Sequence, residues 1–220
     1  MEATDEFKKS VEAAHLEFEK EPMDNNYSNL IAGYPSRLRI KKIIEELGDI
    51  KGKSILDAGC EAGAISIELL KRGANVSAID IVEPALNRFR EKLKGTPYSP
   101  TILKAAIQEI PFENRKFDFV ICSEVLEHAP GTKKCISELM RVLTYGGYLI
   151  ITFPNEKNRK PLYPIAKLFG INTSVEKDVT LYSLNPDQII EMLRLDGGSI
   201  KKYYYFPWYY HLTYMIVTKK

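Results

Sequence analysis

From Lys53 onward the chain repeats one pattern that leaves few folds open: a short apolar run, a turn, and a stretch with helical periodicity. Ser54-Ile55-Leu56-Asp57 runs into Ala58-Gly59-Cys60-Glu61-Ala62-Gly63, and Ala64 to Arg72 then reads as a helix closed by Gly73. Asn75 to Asp80 repeats the strand and Glu83 to Lys94 the helix, with Pro84 at a first helical position. Thr101 to Lys104, Phe117 to Ser123 and Tyr148 to Phe153 supply three more strands, and Ile136, Leu139, Met140 and Leu143 mark a helix before the last of them. Strands alternating with helices predict an α/β fold with a parallel sheet covered on both faces, because parallel neighbours need crossover connections of one hand.

Two helices precede this core. Phe7, Val11, Ala14 and Phe18 share one face, and Ile40, Ile43, Ile44 and Leu47 follow the i, i+3, i+4, i+7 rule. The segment between them is polar and turn-rich, so residues 1–35 read as an N-terminal helical cap and residues 36–220 as the domain proper. After Pro154 regularity lapses into an insertion around 155–180 with a short helix near Leu162 to Phe169, a place where specificity is commonly built. Ser183-Leu184-Asn185-Pro186 then reads as a helix cap, Gly197-Gly198 as that helix's end, and Ile200 to Phe206 with His211 to Thr218 as a closing antiparallel pair.

Charge and cysteine content narrow the function classes. The 31 Lys and Arg balance 29 Asp and Glu without a basic stripe, which disfavours a nucleic acid partner. Cys60, Cys122 and Cys135 lack CxxC spacing and read as free thiols in a reducing compartment. The N-terminus begins acidic, without signal-peptide order, and no apolar run reaches about 18 residues, so a cytoplasmic protein without stable membrane insertion is expected.

The first loop sits where a strand hands over to a helix, so Gly59 and Gly63 would let a ligand approach the backbone at a helix N-terminus. Asp80 ends the second strand 21 residues beyond Gly59, where a carboxylate can accept hydrogen bonds from both hydroxyls of a ribose. A nucleoside-containing ligand follows, and both NAD(P) and S-adenosylmethionine meet that description. The Gly-x-x-x-Gly spacing departs from the dinucleotide pattern, and Asp57 suits a ligand with a cationic amine better than a pyrophosphate.

ILDAGCEAGAISIELLKRG, VSAID, IPFENRKFDFVICSEVLEH and RVLTYGGYLIITFPN, in this order and spacing, resemble class I S-adenosylmethionine-dependent methyltransferases, over about Lys53 to Asn155. The likeness is strongest to the small-molecule branch that holds the ubiquinone and menaquinone methyltransferases. It implies a Rossmann-like seven-stranded, mostly parallel sheet of order 3-2-1-4-5-7-6, with strand seven antiparallel. It also implies that Asp57 and the loop Gly59, Cys60, Glu61 to Gly63 hold the methionine end of the donor. Asp80 would take the ribose, Ile81 would pack on adenine, and Ser123 and Glu124 would line the sulfonium. Arg39, 18 residues before Asp57, stands where the family's O-methyltransferases have an arginine reaching the donor carboxylate, with Arg37 as a nearby competitor. Two departures matter. Glu61 replaces the usual glycine, needs a negative φ more than glycine does, and brings a carboxylate near the donor's own. Ala106 replaces the family's Asp for the adenine amine, so backbone groups of Ala106 and Ile107, or the Gln108 side chain, would have to substitute.

Past the fourth strand, Ser123-Glu124-Val125-Leu126-Glu127-His128 places ionisable groups where ligands bind in open α/β sheets. His128 and Glu124 are the catalytic candidates, His128 as a base for a hydroxyl acceptor. Glu124, Glu127 and His128 are a less favoured divalent-metal set, and a purely turn-stabilising role, which such stretches play irrespective of acceptor, is the reading ranked ahead of both. Cys60, without an adjacent base, reads as packing; His15 and His211 are given no chemistry. Tyr203 to Tyr210 holds seven aromatics in eight residues, too dense for one buried strand face, so some must be exposed or cover a cavity. The expected function is methyl transfer from S-adenosylmethionine, released as S-adenosylhomocysteine, to a small-molecule acceptor, with oxygen as the expected accepting atom, by a monomer or homodimer with at most peripheral membrane contact. The alternatives are a binding module of the same fold without catalysis, and an NAD(P)-dependent oxidoreductase.

Overall fold

Seven strands, β1 (Ser54–Ala58), β2 (Asn75–Asp80), β3 (Thr101–Lys104), β4 (Phe117–Ser123), β5 (Leu143–Pro154), β6 (Ser199–Phe206) and β7 (Thr213–Lys219), pair into one sheet of order β3-β2-β1-β4-β5-β7-β6. The computed structural model describes residues 8–9, 11–12, 34–159, 161, 183–206 and 213–220. β1 pairs in parallel with β2 and β4, setting Asp57 beside Ala78 on one flank and Ile121 on the other. β7 runs antiparallel to both β5 and β6. The helical cap expected over residues 1–35 and the insertion around 155–180, with His15 and His211, lie largely or wholly outside the described residues.

The helices are α1 (Tyr34–Leu47), α2 (Ala64–Lys71), α3 (Glu83–Leu93), α4 (Thr132–Val142), the short α5 (Glu156–Arg159) and α6 (Pro186–Leu195). Side chains alternate across each strand, so a doubly covered sheet has two cores. Leu56, Val120, Cys122, Ile151 and Ile216 face α4 and α6 through Ile136, Leu139, Ile189 and Leu193. Ile55, Ile121, Ile150, Met215 and Val217 face α1 and α2 through Ile43, Leu47, Leu69 and Leu70. Each fully buried aliphatic side chain contributes about 1.5–3 kcal/mol, which is why the strands read as apolar runs without polar alternation.

Helix ends follow local chemistry. Asn185 caps α6 by accepting from the Asp187 amide at 2.9 Å, with Pro186 at the first helical position. Leu143, which its spacing assigns to the helix before the fifth strand, is instead the first residue of β5, opposite Phe117. A buried last helical turn and a buried strand start look alike in periodicity alone. Arg141 on α4 then reaches the carbonyls of Ile110 and Phe112, both at 2.8 Å, while Glu138 accepts from the Ile110 amide at 2.9 Å. Arg141 holds the Glu138 carboxyl below its ordinary range and fastens the segment after β3 to the helix.

Gly63, in the left-handed region with φ 79°, ends the first loop; a Cβ there would stand 2.1 Å from Cδ2 of buried Phe89. Gly63→Ala should therefore cost about 2–4 kcal/mol through overpacking and backbone strain. Urea unfolding with an unchanged m-value checks it; a loss below about 0.5 kcal/mol would show that Phe89 moves aside freely.

Candidate active site

The loop after β1 is held by its neighbour strand. Gly59 and Cys60 both donate to the Ile79 carbonyl, at 2.8 and 3.0 Å, and the Gly63 amide returns to the Cys60 carbonyl at 2.9 Å. Gly59, Glu61 and Gly63 have φ of 83°, 51° and 79°. A Cβ on Gly59 would stand 2.2 Å from Cγ2 of Val125, so both loop glycines admit a protein side chain to the backbone. The sequence suggested approach by a ligand at these positions; packing by Val125 and Phe89 already requires glycine. Glu61 adopts the left-handed conformation that its side chain disfavours, and in doing so turns its amide onto Asp80 Oδ2 at 2.8 Å. The Val82 amide binds Asp80 Oδ1 at 2.9 Å. A carboxylate oxygen can accept more than one hydrogen bond, the property that recognition of a ribose diol uses.

Asp57, only 1% exposed, accepts from Ser66 Oγ at 2.6 Å through Oδ2, while its Oδ1 has no hydrogen-bond partner. Burial pushes its carboxyl up to about 6; the Ser66 hydroxyl works against that rise and the charge of Asp80 adds to it. A buried carboxylate oxygen without a donor costs about 1–3 kcal/mol, and a ligand ammonium would relieve it. Ser66 escaped the sequence reading; its one signal was a polar residue on the otherwise apolar first turn of α2. Cys60 packs on Ala78, Leu86 and Phe89, and its thiol is pushed far up by burial, then by Asp57, Asp80 and Glu61. A thiol so placed is held in its protonated form, the less nucleophilic one.

Two long-range pairs form past β4. Arg39 on α1 lies 3.7 Å from Glu124 Oε2, the side chains 14% and 12% exposed, and Arg39 Nε has no hydrogen-bond partner. Glu124 has φ 57° and donates its amide to the Thr152 carbonyl at 2.8 Å; beside it Ser123 Oγ and Thr152 Oγ1 are 2.9 Å apart. Glu127 is buried, and its Oε1 lies 3.8 Å from Nε2 of the more exposed His128. Glu124 and Glu127 thus belong to separate pairs. Among the described residues no group of three or more His, Cys, Asp or Glu that could hold a metal ion is found.

The adenine-side candidates sit at the ends of β2 and β3. Ile81 packs with Ala62, Val82 and Ala85. The Ala106 carbonyl accepts from the Glu109 amide at 3.1 Å, Ile107 is buried, and Gln108 Nε2 donates to the Pro130 carbonyl at 3.2 Å. Gln108 is therefore fixed by the loop before α4, an arrangement that spacing could not reveal.

Alternation resolves the described half of the aromatic run. Tyr204 turns toward α1, donating to Glu46 Oε1 at 3.0 Å, whereas on the opposite face Tyr203 stacks on Tyr214 of β7 and Tyr205 meets the same ring edge-on. A cleft of about 370 Å³ lies beside them, lined by Pro154, Asn155, Leu184, Asp187, Tyr203 and Tyr214 among others. Trp208 and its neighbours at 207–210 lie outside the described residues.

Residues 56–151 match the methyltransferase domain family. A ubiquinone biosynthesis O-methyltransferase from Rickettsia canadensis (strain McKiel) is 32% identical over 183 residues, 81% of this chain and 77% of the relative. A protein of the same description from Nitrosomonas europaea is 28% identical over 163 residues, covering 73% and 69%. The crystal structure of magnesium protoporphyrin IX methyltransferase from Synechocystis PCC 6803 with bound SAH superposes with TM-score 0.73 at 22% identity, covering 94% of this chain and 98% of that one. The chain belongs to the class I S-adenosylmethionine-dependent methyltransferases. Within that class it resembles the ubiquinone O-methyltransferases, and it is an enzyme that methylates small molecules with S-adenosylmethionine as donor. The nicotinamide alternative falls away, and the site agrees: an unsatisfied buried Asp57 oxygen suits an ammonium and would repel a pyrophosphate.

Asp57 also makes stability depend on pH. Its folded value of about 6 stands above the unfolded 3.8, so between these the native state holds more protons and stability falls as pH rises. Asp57→Asn should remove that slope between about pH 4 and 6 and stabilise the free protein by ~2–3 kcal/mol at neutral pH. Chemical unfolding of both proteins across that range checks it; parallel pH profiles would show that Asp57 titrates normally.

Proposed function

We propose that the enzyme transfers the methyl group to a hydroxyl oxygen of an aromatic, largely apolar small molecule. The observation that carries the donor half is Asp57 Oδ1, buried and without a hydrogen-bond partner at the carboxyl end of β1, beside an Asp80 whose two oxygens are aimed by backbone amides. Asp57 would hold the donor's ammonium, Asp80 its ribose hydroxyls and Arg39 its carboxylate, with Ile81, Ala106, Ile107 and Gln108 around adenine. When bound, S-adenosylmethionine supplies an electrophilic methyl carbon.

Oxygen as the accepting atom is supported by the curated relatives, described as O-methyltransferases of ubiquinone biosynthesis. His128 is the residue we assign to the acceptor's proton: buried Glu127 at 3.8 Å would orient the imidazole and stabilise its cation. With the donor bound, the acceptor hydroxyl would exchange its proton for the methyl group that the donor gives up, and His128 would take that proton. The three buried, unbridged thiols suit the cytoplasm. Balanced charge favours a small acceptor over nucleic acid.

Calorimetric titration with S-adenosylmethionine and S-adenosylhomocysteine tests the donor site. Asp80→Asn, which keeps the shape but loses acceptor strength, should weaken both ligands about tenfold or more. Failure of the parent protein to bind either would overturn the assignment. With a catechol-like acceptor, His128→Gln should lower kcat by about 100-fold at neutral pH with KM little changed, and the loss should shrink as pH rises and the hydroxyl ionises unaided. An unchanged kcat would remove His128 from the chemistry.

A further inference from the structure

Asn155 follows β5 and precedes α5, and its carbonyl accepts the Asn158 amide at 3.0 Å. Any residue would supply that carbonyl. The side chain needs a separate reason, because the residue is only 7% exposed and none of the described residues hydrogen-bonds its amide group. A carboxamide carries two donors and an acceptor, and holding them out of bulk water without a partner is unfavourable. Asn155 lines the cleft of about 370 Å³, a volume within the range of small-molecule sites, and a partner can enter there. Tyr203 and Tyr214 line the same cleft, their rings stacked at 6.1 Å, with Phe153 against Tyr214 at 5.2 Å. Tyr203 is 40% exposed, so part of its ring is open to a further aromatic neighbour. Lys157 and Asp187 add one charge of each sign, so the lining selects no net charge. The cleft also lies at the carboxyl edge of the sheet. Thr152, three residues before Asn155, has Oγ1 2.9 Å from Ser123 Oγ and takes the Glu124 amide on its carbonyl at 2.8 Å. Three residues of extended chain span at most about 10 Å.

We propose that this cleft is the acceptor subsite and that Asn155 is its specificity-determining residue, hydrogen-bonding a second oxygen substituent on a neutral aromatic ring that stacks on Tyr203. The inference rests on the proposed transfer to an aromatic hydroxyl: that reading says which atom is methylated, and Asn155 says what else the ring must carry. Contact with tyrosine faces gives affinity with little choice among aromatic rings. A buried polar group does choose, because an occupant without a matching atom leaves the amide unpartnered. Since a carboxamide both donates and accepts, a hydroxyl, a methoxyl or a carbonyl oxygen satisfies it.

The test is calorimetric binding of naphthol and of the dihydroxynaphthalene isomers to the full chain saturated with S-adenosylhomocysteine. Asn155→Leu keeps the approximate size of the side chain and removes its hydrogen bonding; Tyr203→Leu removes a ring from a half-exposed position with little risk to the fold. At least one diol should bind the parent about fivefold or more tightly than naphthol, and Asn155→Leu should cut that advantage to within about twofold while leaving naphthol unchanged. Tyr203→Leu should weaken naphthol and the diol alike, by about three- to tenfold. With S-adenosylmethionine in place of the product, Asn155→Leu should raise KM for the favoured diol by the same factor as its affinity falls, with kcat changed less than twofold. No preference for any diol in the parent, a preference that survives Asn155→Leu, or an equal loss for naphthol and diol in that variant overturns the inference; transfer to oxygen stands if the diols are still methylated. Diols that follow the predicted binding pattern and are never methylated overturn the transfer to oxygen, and the acceptor role of the cleft with it.

Discussion

The Ile79 carbonyl, at the end of β2, accepts the amides of both Gly59 and Cys60, and the loop after β1 takes its shape from that contact. Parallel pairing of β1 with β2 brings the two strand ends level, so a loop leaving one can be pinned by the other. Glu61 and Gly63 then turn through the left-handed region, which sends the Glu61 amide to Asp80 and starts α2 close enough for Ser66 to reach Asp57. The two carboxylates expected to hold the donor are thus oriented by backbone geometry before any ligand arrives, and preorganisation of this kind lowers the ordering cost of binding.

Stability is given up at the same place. Asp57 is ionisable, buried and incompletely hydrogen-bonded, Glu61 and Glu124 hold strained backbone, and Arg39 faces Glu124 with little solvent around them. Each feature is unfavourable by about 1–3 kcal/mol in isolation. They collect at the carboxyl ends of β1 and β4, while the two cores beneath are apolar and close-packed. Such a concentration of strain over a rigid base is where ligand binding has most to relieve.

Much of this was legible in the chain. β2, β3 and β4 were bounded correctly because buried parallel strands are short apolar runs between breakers, and Asp57, Asp80 and the glycine loop followed from their place at strand ends. Leu143 went to the wrong element because buried helix and buried strand share an apolar signature. Proximity in sequence put Glu124, Glu127 and His128 together, but it does not say that Arg39 lies against the first carboxylate while the second lies against His128. Gln108 on Pro130 and Tyr204 on Glu46 join residues 22 and 158 positions apart, beyond any local pattern.

The sequence by itself determined the doubly covered sheet, the glycine loop after β1 and the acid at the end of β2, because backbone hydrogen bonding and side-chain periodicity are local constraints. Only the tertiary structure decided which polar groups meet: the lone Asp57 oxygen, the Arg39–Glu124 pair, the amide of Glu61 on Asp80. Those contacts depend on crossover connections that bring distant strand ends to one edge, and on burial, which alone turns an ordinary carboxylate into one that titrates near 6.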